Sequence, residues 1–258
     1  MNFSSLEYIR CPACGGKVAT APRAWQCLSC RRSYPVEDEI PALLAQPQFT
    51  PGEGDTGLDA ETARYPLLMA AFALLLRVWL PAERRRLIGR IGILPGDVVL
   101  DHCTGPGGNL PAIASLIGPS GKLFAMDLSR AMVRAAQRFA RAKHIAAEIH
   151  RADALHLPYA DNCFNAVVHY GAINQFADQR KAIDEILRVT KPGGVIALLD
   201  EGIEPGKENT WLAKLLVWKN PLFSSRPPLD LIPPKANPRL EWVLRGVFYQ
   251  IIFRKPSV

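Results

Sequence analysis

The chain has 258 residues, 48% of them hydrophobic and 21% charged, which is the composition of an ordinary globular protein and excludes disordered, collagen-like and fibrous classes. The formal net charge of +7 raises the question of a nucleic-acid or membrane partner, and its answer depends on where the excess sits. Residues 1–10 lack the basic-then-apolar layout of a signal peptide, and the longest apolar run, Tyr65 to Pro81, is interrupted by Arg77, so the expectation is a cytoplasmic protein without a transmembrane segment.

Residues 1–45 come first as a small module, nearly neutral with five Lys/Arg against four Asp/Glu. They carry Cys11, Cys14, Cys27 and Cys30, two C-x-x-C pairs separated by twelve residues. Four thiolates at that spacing can close a tetrahedral zinc site with no open position for water, which predicts a structural metal rather than a catalytic one. Clustering of this kind also argues for a reducing compartment rather than a disulfide framework. Residues 31–44, "RRSYPVEDEIPALL", alternate and end in an apolar hook. The run from Cys11 to Leu44 resembles the small zinc-ribbon family that includes the activator subunit of RNA and protein methyltransferases. Residues 46–63 are polar and rich in Gly and Pro and read as a linker.

From residue 64 onward, helical and strand patterns alternate. Residues 82–96 read as a helix and turn, 97–103 ("DVVLDHC") as a strand, 108–118 as a helix and 121–129 ("GKLFAMDLS") as a strand ending in an acid. Residues 130–144 form a helical pattern with Arg130, Arg134, Arg138 and Arg141 on one side and apolar residues on the other. That stripe reads as a solvated face, with an RNA track as the alternative. Strands follow at 146–154 and 165–173, an amphipathic helix at 177–190, a buried strand at 193–201, and two adjacent strands, 239–246 and 247–255, that must pair antiparallel. Repeated β-α units predict an α/β domain over residues 64–258, built on a parallel sheet with helices on both faces.

Ligands in such sheets bind at the carboxyl ends of the strands, so the loop "DHCTGPGG" after the 97–103 strand faces the pocket. Gly105 and Gly107 let backbone approach a ligand. Asp127 ends the next strand twenty residues after Gly107, in position to accept both ribose hydroxyls. Asp101 before the glycines suits a ligand bearing an ammonium group and would repel a pyrophosphate. Asp153 lies at the next strand end, placed for an adenine amino group.

The runs "VLDHCTGPGG", "AMDLSRAMV", "RADALHLPYADNCFNAVVHYGAINQFAD" and "EILRVTKPGGVIALLD" together resemble class I S-adenosylmethionine-dependent methyltransferases, nearest in style to the C-methyltransferases of ubiquinone and menaquinone biosynthesis. The resemblance implies a Rossmann-like, mostly parallel seven-stranded sheet with a C-terminal antiparallel hairpin. It implies cofactor contacts from Asp101, Cys103, Gly105 and Gly107 in the loop, Asp127 and Leu128 at the ribose, Met132 beside the adenine, Asp153 and Ala154 at its edge, and Tyr170 and Gly171 at the methionine end. Cys103 stands where the family pattern has its first glycine, and reads as a packing residue rather than a nucleophile. His169 and Tyr170 are the candidates for proton transfer, with Asn174, Asp200 and Glu201 nearby.

The apolar segment 65–80 and the insert 205–238, with Trp211, Trp218 and Phe223, could cover the acceptor. Apolar covers favour a small hydrophobic acceptor, reached in solution or at a membrane surface. The alternatives are a ribosomal-RNA base methyltransferase that uses the ribbon to recognise RNA, and a non-catalytic scaffold of the same fold.

Overall fold

The computed structural model describes residues 6–21, 23–45 and 67–257; the expected linker lies outside them. The ribbon contributes β1 (Val18–Ala19), β2 (Ala24–Cys27), β3 (Ser33–Glu37) and β4 (Ile40–Leu43). After a helix over residues 67–76 (α1) and α2 (Leu80–Gly89), the β-α units begin. They comprise β5 (Val98–His102), α3 (Leu110–Ile117), β6 (Lys122–Asp127), α4 (Arg130–Ala142), β7 (Glu148–Ala152), β8 (Phe164–Tyr170), α5 (Gln179–Val189) and β9 (Thr190–Glu201). The insert folds as α6 (Trp211–Lys219) and short 3-10 turns, and the chain closes with β10 (Arg239–Val243) and β11 (Phe248–Arg254).

Residues 67–80 are not one helix. The helix breaks at Arg77, whose φ is +54°, and restarts at Leu80 with Pro81 in its first turn, where a missing N–H costs nothing.

The strand order is β1-β2-β3-β4-β7-β6-β5-β8-β9-β11-β10. The seven strands from β7 to β10 are those expected, with β11 antiparallel to both β9 and β10. The expected seven-stranded sheet is nevertheless corrected to eleven strands among the described residues, because β4 pairs parallel with β7 through Ala42↔Arg151 and Leu43↔Ala152. An edge strand offers unpaired N–H and C=O groups, and β4 takes them up.

The core is continuous as well. Ile9, Cys11, Val18, Trp25, Cys27, Tyr34 and Leu43 of the ribbon lie in one buried cluster with Leu100, Phe124, Met126, Tyr159 and Phe164 of the larger domain. Trp25 is fully buried and meets the His150 ring edge-on at 5.7 Å. Backbone hydrogen bonds from Arg10 N to Pro158 O and from Ala160 N to Tyr8 O seal the seam. The two segments divided by the linker in sequence therefore share a core.

The arginine stripe of α4 is also not a free solvated face. The β3–β4 turn carries Glu37, Asp38 and Glu39, which pair with Arg130 at 2.9 Å, Arg134 at 2.5 Å and Arg141 at 2.6 Å. Arg86 and Arg90 pair with Glu83 and Glu241.

Candidate functional site

The loop after β5 is built around two carboxylates. Asp101 is fully buried; its Oδ2 accepts from Thr104 Oγ1 at 2.5 Å and its Oδ1 from Asn109 Nδ2 at 2.9 Å. Burial pushes this carboxyl up to about 6, against the opposing pull of those two donors. Asp101 thus fastens the loop, and its charge lies beneath the strand ends rather than on an open surface. Arg84 of α2 donates to Asn109 Oδ1 at 2.8 Å and ties the same loop from outside. In sequence Arg84 belongs only to a basic run with Arg85, Arg86 and Arg90, and its bond to Asn109, 25 residues on, comes from the fold.

Asp127 is the second carboxylate. Its Oδ2 accepts from Gly105 N at 2.9 Å and its Oδ1 from Ser129 N at 3.0 Å. Burial raises its pKa, and these backbone donors lower it. Each oxygen keeps a lone pair for a ligand hydroxyl. At Gly105 (φ +55°) an added Cβ would have open space, whereas at Gly107 (φ +88°) it would strike Leu110 and Ala136 at 2.9 and 3.2 Å. Gly105 therefore opens onto a ligand space, and Gly107 permits the close packing of the loop on α4.

Cys103 is left-handed, with φ +56°. The position does carry a glycine-like backbone, and the thiol side chain bears the strain. Burial holds its pKa well above the ordinary thiol value, so it stays protonated.

Leu128 and Met132 flank Asp127 and are half-buried; Ser129 caps α4 by accepting from Met132 N at 3.3 Å. Asp153 follows β7, with Ala154 buried beside it. Its carboxylate accepts from Leu155 N at 2.9 Å and meets His156 Nδ1 at 2.7 Å.

His169 does not line the pocket. It is fully buried, with its Nδ1 2.6 Å from that of His102, and burial keeps both rings neutral. The expectation of a base at His169 is corrected on that ground: the side chain of a strand residue one place before Tyr170 points to the other face of the sheet.

Tyr170 and Gly171 do line a pocket, together with Met69, Phe72, Leu87, Leu199, Leu244, Phe248, Gln175 and Glu201. Tyr170 Oη accepts from Gln250 Nε2 at 2.5 Å, and burial raises its pKa, so it acts as a neutral hydroxyl. Asp200 pins the loop after β8, accepting from Ala172 N at 3.1 Å and Asn174 N at 2.9 Å. Glu201 faces the pocket beside it. Burial and the neighbouring Asp200 push its carboxyl up to about 9, and its Oε2 is buried without a hydrogen-bond partner.

In the ribbon, the four sulfurs all lie within 4.8 Å of one another, with Cys11–Cys30 at 3.7 Å and Cys14–Cys27 at 3.5 Å. Metal–sulfur bonds of about 2.3 Å in a tetrahedron place sulfurs roughly 3.8 Å apart. Cys30 N donates to Cys27 Sγ at 3.4 Å, and Tyr34 Oη lies 2.9 Å from Cys11 Sγ. The donor set and spacing fit a four-cysteine metal site.

Residues 99–194 match the family described as a methyltransferase domain. Demethylmenaquinone methyltransferase from Lactobacillus johnsonii is 32% identical over 119 residues, which is 45% of this chain and 49% of that protein. The chain spans about half the length of the curated relatives it matches. Two solved structures share the fold. One is an S-adenosyl-L-methionine-dependent methyltransferase from Methanococcus maripaludis (TM-score 0.58, 20% identity, 80% of this chain and 96% of that one). The other comes from the complex of the Haloferax volcanii Trm112 methyltransferase activator with a methyltransferase (TM-score 0.56, 17% identity, 80% of this chain and 100% of that one). The matched residues include the glycine loop, Asp127, Asp153 and Tyr170, while the four-cysteine segment lies outside them.

Proposed function

We propose that this chain transfers the methyl group of S-adenosylmethionine to a small, apolar, quinol-like acceptor. The observation that carries the reading is the pocket lined by Tyr170, Gly171 and Glu201, whose other walls are apolar apart from Glu83, Arg84 and Gln175. The curated relatives named demethylmenaquinone methyltransferase support the acceptor class. The open space at Gly105 and the free lone pairs of Asp127 fit the ribose of the cofactor, and Gly171 also faces open space at the methionine end.

When bound, the cofactor supplies an electrophilic methyl group on a sulfonium. The chain's own work is alignment, exclusion of water and proton removal. Met69, Phe72, Leu87, Leu199 and Phe248 present apolar surface to the acceptor. Glu201 is the proton acceptor: a carboxylate with its pKa near 9 is well matched to a weakly acidic ring hydroxyl. Asp200 positions the loop above it. In the ribbon, Cys11, Cys14, Cys27 and Cys30 hold one structural zinc, which fixes the knuckles that pack on the domain. A cytoplasmic chain that works at a lipid boundary accords with this reading.

The RNA alternative loses the α4 stripe as a phosphate track, because Arg130, Arg134 and Arg141 are already paired with acids of the ribbon.

The test has two parts. Calorimetry should show S-adenosylmethionine binding that weakens about tenfold or more in Asp127→Asn, since hydrogen bonds to a charged group contribute on the order of 1.5–3 kcal/mol each. Labelled methyl transfer from the cofactor should appear in a detergent-dispersed lipid-soluble extract and not in total RNA. Label in RNA alone would overturn the acceptor class, and absence of cofactor binding would favour the scaffold.

A further inference from the structure

The residues left unexplained by the pocket lie just outside it. Helix α1 has two faces. Met69 and Phe72 look into the pocket, while Leu67, Leu68 and Leu74 look outward, Leu74 being 79% exposed. Trp79, after the break at Arg77, is 73% exposed. Helix α6 repeats the arrangement. Leu212 and Leu216 are buried, and Trp211, Lys214 and Trp218, spaced three and four apart along one face, are exposed; the two tryptophans are 67% and 73% accessible. A single buried cluster containing Leu76, Leu212, Leu216 and Phe223 joins the two helices. The two helices are thus packed together, and α1 also walls the acceptor pocket through Met69 and Phe72.

Scattered apolar residues on a surface need no explanation, but two helices that expose leucines and tryptophans along whole faces do. The charges on the same helices narrow the choice of partner. Residues 67–79 and 211–219 contain Arg77, Lys214 and Lys219 and no carboxylate. Lys219 Nζ lies 4.4 Å over the Trp218 ring, so cation and indole occupy the same spot. Glu208, just ahead of α6, is turned back onto the amide of Gly206. By contrast, Arg130, Arg134 and Arg141 of α4 are paired with Glu37, Asp38 and Glu39. Arg77, Lys214 and Lys219 thus place positive charge beside the apolar surface. Tryptophan, leucine and lysine together on a helical face are the chemistry of an anionic bilayer interface: apolar side chains reach the acyl boundary, indoles sit at headgroup depth, and lysines meet lipid phosphates. Among the described residues no helix is long and apolar enough to cross a membrane, so the contact is peripheral.

We propose that the outward faces of α1 and α6 dock on an anionic membrane surface and bring the mouth of the acceptor pocket to the bilayer. The proposal rests on the reading of an apolar acceptor, since such a molecule partitions into lipid and must be collected there. The helix that walls the pocket on one side meets the bilayer on the other, so the path from lipid to pocket need not cross water.

The experiment is sedimentation of the full chain with vesicles of phosphatidylcholine alone and of phosphatidylcholine mixed with phosphatidylglycerol. The chain should pellet with the mixed vesicles and much less with the neutral ones, and its tryptophan emission should shift to the blue on binding. Lys214→Glu with Lys219→Glu should weaken partitioning on the order of tenfold or more, and Trp211→Ser with Trp218→Ser by a similar factor. Circular dichroism and cofactor calorimetry of each variant show that it is folded, and methyl transfer to detergent-dispersed extract should match the unsubstituted chain. A chain that stays in the supernatant with both vesicle types, or pairs of substitutions that leave sedimentation unchanged, would overturn the docking surface. So would a concentration-dependent dimer in light scattering that the tryptophan substitutions abolish, because the face would then belong to a second copy. Loss of transfer in detergent with vesicle binding intact would instead count against the acceptor reading and leave the docking surface standing.

Discussion

Asp38, at the tip of the β3–β4 hairpin, meets Arg134 in the middle of α4 at 2.5 Å, so an acid of the N-terminal segment holds a helix within residues 99–194. Asp38 and Glu39 form a two-residue turn with φ of +52° and +66°, between the paired residues Glu37 and Ile40. Such turns ordinarily use Asn-Gly, and left-handed backbone costs other residues roughly 1–2 kcal/mol each. Exposed ion pairs contribute about 0.2–1 kcal/mol apiece, so the three acid–arginine pairs offset only part of that strain. Their larger effect is on charge. Glu37→Gln, Asp38→Asn and Glu39→Gln together should uncover the α4 arginines and delay elution from a heparin column, with only a small drop in melting temperature. Unchanged elution would mean that the pairs do not mask the stripe.

Removal of the proposed zinc should be felt throughout the chain. Trp25, Cys27 and Tyr34 belong to the same buried cluster as Phe124 and Tyr159. A strong chelator, or Cys11→Ser, should therefore lower the melting temperature of a single cooperative transition rather than unfold the ribbon alone. Metal analysis of protein purified without chelator should find one zinc per chain. Two separate melting transitions, the upper one unaffected by chelator, would show that the ribbon and the domain are energetically independent.

Cys103→Gly should stabilise the loop. Relief of a left-handed cysteine returns about 1 kcal/mol, less the greater freedom of glycine in the unfolded chain. Thermal melting should show no loss, and cofactor affinity should hold or improve. A loss of methyl transfer with cofactor binding intact would assign the thiol a chemical role.

Glu201 should impose a pH dependence on both stability and rate. Its folded-state pKa, about 9, is raised from an ordinary 4.5, so between those values the native chain holds a proton that the unfolded chain has released. Stability contributed by the protonated form is complete below the unfolded pKa and declines as pH rises toward about 9. Glu201→Gln should thus raise the melting temperature at pH 8 relative to the unsubstituted chain and change it little near pH 4. Turnover should climb with pH as the carboxylate forms, and the amide variant should lose at least tenfold in kcat and that pH dependence, while still binding the cofactor. A flat rate profile in the unsubstituted chain would remove Glu201 from proton transfer.

The local patterns were enough for the β-α alternation, the four-cysteine knuckles, the acid–glycine loop and Asp127, because each rests on contacts within a few residues or on a period of 2 or 3.6. Periodicity also placed α4 and its arginines correctly on a helix. It could not say what faced them, since Glu37, Asp38 and Glu39 lie some ninety to a hundred residues earlier and meet α4 only once β4 has joined β7. The same long-range pairing turned a separate small module into the edge of an eleven-stranded sheet. His169 illustrates the other limit. Its position at a strand end was legible, but only the assembled sheet sends its ring to His102 and the next side chain, Tyr170, to the pocket. Arg84 joins the site through a partner 25 residues away and Glu201 gains its raised pKa through burial, and neither exists until the fold closes around them.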